Sequence, residues 1–262
     1  MTAILTPVRG TQAIFRVNPV AKLGAALILG IALLLSLDWV SALVALSCEV
    51  VLFAWAGVGA RRLALRALPI VIAAAFAGVT IALYGQASGA IRFEFLFARI
   101  SDGSLALAGA TVLRILAIGL PALVLFLTVD PTDLADGLGQ VLHLPARFVL
   151  GALAALRLAG LFLDDWRSLE LARRARGAAD RGRLRRFAGQ AFALLVLSIR
   201  RGSKLATAME ARGFGASTRR TWARPSRFGW PELLLLAIGL AVAAAAIMAA
   251  ILAGTWKFLG GQ

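Results

Sequence analysis

Apolar residues run along this chain in long blocks, separated by short polar punctuation. About 20 apolar residues cover the hydrocarbon core of a bilayer at about 1.5 Å per residue. On that rule five segments qualify or come close: 20–37, 41–55, 67–84, 105–128 and 231–256. The second is the shortest and can extend past Gly57. Asp38, Trp39 and Val40 leave room only for a tight hairpin between the first two, with Trp39 suited to the membrane–water interface. Pro69 is expected near the start of the third helix, where first-turn N–H groups lack intrahelical partners in any case. The expected fold is an all-α integral membrane protein with about five transmembrane helices.

After Thr128 the pattern changes. In Asp130-Pro131-Thr132-Asp133-Leu134, Asp130 is placed to cap a helix, Pro131 suits its first position and Asp133 puts negative charge in its first turn. That helix is expected to end near 137–139, and His143-Leu144-Pro145 breaks the chain before the next. From Arg157 to Arg227 there are seventeen basic residues against five acidic ones, a net +12 of the chain's +15. Two apolar stretches border or interrupt this run, 148–163 and 187–199. The second has too few residues to cross a bilayer. A single crossing by the first would put eight arginines on the far side, against the positive-inside tendency. Both are therefore read as helices lying at the membrane surface or beneath the bundle, with apolar faces toward lipid or partner helices. The chain divides accordingly into transmembrane helices at 1–128, a basic cytoplasmic helical region at 129–230 with the two Ala-Arg-Gly motifs, and a last transmembrane helix at 231–262.

Composition supports this reading. Hydrophobic residues make up 60% of the 262 and charged ones only 16%, against about 45–50% and about 25% in soluble domains. The first apolar run follows a polar stretch with Arg9 and Arg16 and reads as a signal anchor rather than a removable leader. Arg61, Arg62 and Arg66 lie between the second and third spans, while segment 85–104 has Arg92 and Arg99 balanced by Glu94 and Asp102. These charges orient the N-terminus and the basic region toward the cytoplasm, where the excess also suits anionic lipid head groups. No nucleic-acid reading module accompanies the charge, so no nucleic-acid partner is expected.

Enzymatic constellations are sparse. Cys48 is the single cysteine and His143 the single histidine, so neither a paired-cysteine nor a histidine-based metal site is expected. The chain has no GxxxxGK[ST] loop and no GxSxG elbow, and the paired acids Asp164 and Asp165 sit on a basic helix where salt bridges suit them. No catalysis, cofactor or bound metal is expected. Arg114 differs, because it falls inside the fourth span, where a charge is costly and faces protein; it is the candidate intramembrane polar site, serving in pairing, substrate passage or subunit contact. The sharpest feature is a repeated tripeptide, Ala175-Arg176-Gly177 and Ala211-Arg212-Gly213. Each puts an arginine at the end of a helix, followed by a glycine suited to a left-handed cap. A guanidinium placed there can make paired bonds to carboxylates or carbonyls of another protein.

The run from Ala208 through Met209, Glu210, Ala211, Arg212, Gly213, Phe214 and Gly215, with Ala172-Arg173-Arg174-Ala175-Arg176-Gly177 upstream, resembles the transmembrane T components of energy-coupling factor transporters, including cobalt-transporter permeases. Asn18-Pro19-Val20-Ala21-Lys22-Leu23, Asp130-Pro131-Thr132-Asp133-Leu134, Leu144-Pro145, Arg147-Phe148 and Arg219-Arg220-Thr221 match in the same order, though the family usually has Asp at the position of Asn18. The resemblance implies a coupling subunit in the plasma membrane of a prokaryote. It would work with two ATP-binding-cassette ATPase subunits and a membrane-embedded capture subunit for a vitamin or transition-metal ion. Arg176 and Arg212 would each dock one ATPase, with Ala175, Gly177, Ala211 and Gly213 permitting close approach and Arg173, Glu210 and Phe214 as supporting motif residues. The residues also suit a lipid-binding scaffold, or an enzyme clamping lipid phosphates that would lack an evident nucleophile.

Overall fold

The computed structural model describes residues 17–36, 38–55, 57, 59–85, 90–95, 98–177, 182–216 and 221–255. Eight helices account for nearly all of the described structure: α1 (Pro19–Leu34), α2 (Trp39–Trp55), α3 (Ala60–Tyr84), α4 (Asp102–Thr128), α5 (Pro131–Gln140), α6 (Ala146–Ala175), α7 (Arg183–Ala211) and α8 (Trp230–Leu252). A short antiparallel hairpin, β1 (Ile91–Phe95) with β2 (Ala98–Ser101), joins α3 to α4. Arg9, Arg16, Asp180, Arg181, Arg219, Arg220 and Trp256 lie outside the described residues, as do the side chains of Arg62, Arg92, Glu94, Arg99 and Arg183. The chain forms two compact units, 1–134 with 227–262, and 135–226.

In the first unit, α1, α2, α4 and α8 converge on one layer of small and branched residues: Leu33, Ala45, Ala117 and Ala246, each no more than 2% exposed. A second layer adds Leu29, Val242 and Ala243. The buried positions of α2 (Ser41, Ala42, Ala45 and Glu49) recur at helical spacing and form one inward stripe. Small residues let the backbones approach. A side-chain carbon on Gly239 would stand 3.2 Å from the Cβ of Ala25 and 3.3 Å from its Cα, so α1 and α8 meet almost backbone to backbone, as membrane helices do when no water-driven force holds them. Facing outward are Ile31, Leu34, Val50, Val51, Phe76, Val79, Phe126, Leu240 and Met248, an apolar rim suited to lipid or to a partner protein.

Polar ties fasten the ends of this bundle. Asn18 accepts from the Val20 amide (3.0 Å) and donates its own amide group to the Arg227 carbonyl (2.9 Å), while its backbone N–H donates to Glu232 (3.1 Å). Lys22, buried, donates Nζ to the Thr128 carbonyl (3.2 Å). At the α1–α2 corner Asp38 accepts from the Ser41 backbone N–H and hydroxyl, both at 2.7 Å, and thereby caps α2. Arg114 donates to the Ser36 carbonyl at this same corner.

Pro69 differs from the sequence expectation. The third helix begins at Ala60 and not at the apolar boundary, so Pro69 lies in its third turn and is an interior proline. Arg61, Arg62 and Arg66 are good helix formers, and they carry the helix below the apolar stretch at the cost of one backbone bond.

The apolar stretch at 148–163 is the first half of a single 30-residue helix, α6, which ends at the first Ala-Arg-Gly motif as the sequence suggests. No proline interrupts the sequence beyond Leu163, and Leu, Arg, Glu and Ala continue the helix on propensity. Among the described residues, α6 joins α3, α4 and α8 as one of four helices able by length and composition to cross a membrane, whereas α1 and α2, at 16 and 17 residues, are shorter.

Helix α5 starts, within the first unit, as the sequence suggests, with Asp130 accepting from the Thr132 amide at 2.7 Å. Gln140, at its end, donates to the Arg224 carbonyl and accepts from the Ser226 amide, both at 2.8 Å. His143 is exposed in the turn that follows, its ring bonded to the Val141 carbonyl.

Candidate functional site

The two Ala-Arg-Gly motifs are the two C-terminal ends of α6 and α7, and they share one backbone geometry. Arg176 has φ −89° and ψ 7°, and Arg212 has φ −92° and ψ 13°. Gly177 (φ 66°) and Gly213 (φ 76°) follow in the left-handed region. The Gly177 amide donates to the Arg174 carbonyl (3.1 Å) and the Gly213 amide to Glu210 (2.9 Å), with the Phe214 amide reaching back to Met209 (2.9 Å). These bonds satisfy carbonyls that the last helical turn would leave open. A residue with a Cβ resists this conformation by about 1 kcal/mol, which is why glycine stands at both positions.

All six motif residues, Ala175, Arg176, Gly177, Ala211, Arg212 and Gly213, are exposed. Among the described residues, neither Arg176 nor Arg212 has an ion-pair partner, so both guanidinium groups are free to bind elsewhere. No atom lies within 4 Å of a side-chain carbon placed on either glycine. Each tip is therefore an open surface with one cation and bare backbone beside it. Glu210 is exposed and Phe214 half-buried next to the second tip.

Arg173 is placed differently from the other motif residues. Its guanidinium turns inward and donates to two backbone carbonyls of α7, those of Arg186 (3.3 Å) and Gly189 (2.7 Å). Around it lies a polar joint of which sequence reasoning anticipated only the salt-bridge role of Asp165. Glu170 accepts from Arg174 (2.6 Å) and from Arg186 (3.1 Å). Gln190, only 3% exposed, donates to the Trp166 carbonyl at 2.8 Å. Arg201 donates to Asp165 at 3.1 Å, with a second nitrogen 2.7 Å from the other carboxylate oxygen. Trp166 and Phe187 stack at a tilt with centroids 5.6 Å apart. Trp166, Glu170, Arg186, Phe187 and Gln190 line a groove of about 340 Å³ at this joint. A further sequence signal was Gly189 inside a helical run, where glycine costs about 1 kcal/mol against alanine.

Arg114 and Glu49 belong to the first unit. Arg114 makes the corner bond to Ser36 and leaves its buried Nε without a partner. Glu49 is 1% exposed, and neither of its carboxyl oxygens has a hydrogen-bond partner. No group of three or more metal-ligating side chains occurs among the described residues.

Comparison with known proteins matches this chain to the CbiQ family, described as cobalt transport protein, over residues 10–222. The energy-coupling factor transporter transmembrane protein EcfT of Bacillus selenitireducens is 30% identical over 273 aligned positions, covering 97% of this chain and 96% of its own length. Proteins of the same description from Exiguobacterium sibiricum and Thermanaerovibrio acidaminovorans are each 29% identical, covering 58% and 61% of this chain and 64% of their own lengths. With a match spanning both Ala-Arg-Gly helix ends and a relative aligned almost end to end, this chain belongs to the CbiQ family of cobalt transport proteins.

Proposed function

We propose that this chain is the coupling subunit of an ATP-driven importer in a prokaryotic plasma membrane. It receives motion from two ATP-binding-cassette subunits, as a homodimer or heterodimer, and passes it to a membrane-embedded capture subunit carrying a vitamin or transition-metal ion. The chain itself is a non-catalytic permease subunit. The observation that carries this reading is the pair of exposed helix ends with the same backbone and the same Ala-Arg-Gly sequence, because two equivalent tips suit two equivalent partners. Arg176 and Arg212 supply the contacts, and the adjoining small residues let the partner surface approach. The N-terminus and the basic region face the cytoplasm, where ATP is found, and the surplus arginines also meet anionic lipid. The relatives' description as transmembrane proteins of energy-coupling factor transporters supports the same assignment.

Co-expression with candidate ATPase subunits from the same source tests it. Wild type is expected to retain the ATPase through purification, and Arg176→Glu/Arg212→Glu to lose it while remaining folded in the membrane. Each arginine contact of this kind contributes about 2–5 kcal/mol when one partner is removed. Equal retention by the double variant sinks the docking assignment and turns attention to the basic region as a lipid-binding scaffold.

A further inference from the structure

We infer that Arg173 is a positioning residue, a pin that fixes the crossing of α6 and α7 and so the spacing of the two tips, and not a contact to the ATPase. The inference rests on the docking reading above for its consequence but not for its geometry.

Arg173 lies one turn before Arg176, yet it is half-buried while Arg176 is exposed. Its two nitrogens reach the Arg186 and Gly189 carbonyls on a single face of α7. A helical carbonyl has a second lone pair to offer, and the planar fork of arginine can take two such acceptors at once where a lysine ammonium cannot match the geometry. Gly189 makes room for this. A side-chain carbon there would stand 3.3–3.4 Å from the Arg173 guanidinium nitrogens. Glu170, Gln190 and Asp165 add three more directional ties between the same two helices. The joint is thus held mainly by oriented polar bonds, with the Trp166–Phe187 stack beside them.

Such a joint matters because of leverage. From Arg201, the last of these ties, to Arg212 α7 runs 11 residues, about 16 Å at 1.5 Å per residue. A slip of about 10° there swings the second tip by about 3 Å, enough to break a hydrogen bond. Two tips bound to one ATPase pair gain affinity through simultaneous engagement, and that gain vanishes when their spacing is wrong.

The test uses the full-length chain in a Cys48→Ala background, spin-labelled at Leu171→Cys on α6 and Thr207→Cys on α7, both exposed. Arg173→Ala is expected to broaden the distance distribution between the labels without any partner present. In ATPase titrations, Arg173→Ala is expected to weaken binding by about tenfold or more, and to have no further effect in an Arg212→Glu background, where only one tip engages. An unchanged distance distribution overturns the pin. So does an equal loss in both backgrounds, which makes Arg173 a direct ATPase contact. Should Arg173→Ala not accumulate, Arg173→Lys and Gly189→Val interrupt the same bonds and are read the same way. If Arg176→Glu/Arg212→Glu still retains the ATPase, the docking reading has failed, while the label distances continue to decide the pin.

Discussion

Gly177 and Gly213 occupy a backbone region that any Cβ resists, although open space surrounds them. Gly213→Ala is therefore expected to destabilise the end of α7 by about 1 kcal/mol and to raise amide exchange from Glu210 to Gly215, measurable by hydrogen exchange with mass detection. Unchanged exchange there would contradict the strained cap. Glu49 makes the opposite case, since burial without a hydrogen-bond partner costs about 1–3 kcal/mol even for a neutral amide or hydroxyl and more for an ionised carboxylate. Glu49→Leu, of similar volume, is expected to raise the thermal unfolding temperature in detergent; a lower value would mean that the carboxyl carries an interaction the fold depends on. The glycine caps were legible in the sequence because left-handed backbone has a residue signature. Glu49 carried the same signal as Arg114, a charge inside an apolar span, but the sequence did not say what that charge would face.

At the scale of elements, the α1–α8 contact depends on Gly239 lying against Ala25. Gly239→Val must push two backbones apart, and overpacking of this kind costs about 1–3 kcal/mol. Its expected outcome is a lower unfolding temperature, with Gly109→Val, whose site has nothing within 4 Å, as the comparison that should be milder. Helix starts were readable wherever a cap is local, as at Asp130-Pro131. Asn18 is also informative, because its amide accepts from Val20 and donates to Arg227, and a carboxylate could do only the first. Lengths were less readable. Hydropathy marks where apolar residues stop, but α3 and α6 continue through arginine and glutamate because helix propensity does not distinguish lipid from water.

On the scale of the whole molecule, net charge is concentrated in one stretch of sequence, and charge asymmetry orients membrane proteins. A cysteine at the exposed Ser168 or Lys204, in a Cys48→Ala background, is expected to resist a membrane-impermeant thiol reagent in intact cells and to react in inside-out vesicles. Labelling from outside would reverse the proposed orientation and remove the tips from the compartment that holds ATP.

Hydropathy, charge and the paired Ala-Arg-Gly motifs were enough to indicate a helical membrane chain, its family and its two motif-bearing helix ends, because each is a local signal: a run of apolar residues, a cluster of cations, a glycine after a helix. Only the tertiary structure decided where the side chains between those signals go. It separated Arg173 from Arg176, three residues apart on one helix, by turning the first toward α7 and leaving the second exposed. It also brought Ser36 to Arg114 and Glu232 to Asn18. Such pairings join positions far apart in the chain, and helical periodicity can assign a residue to a face without saying which partner that face will meet.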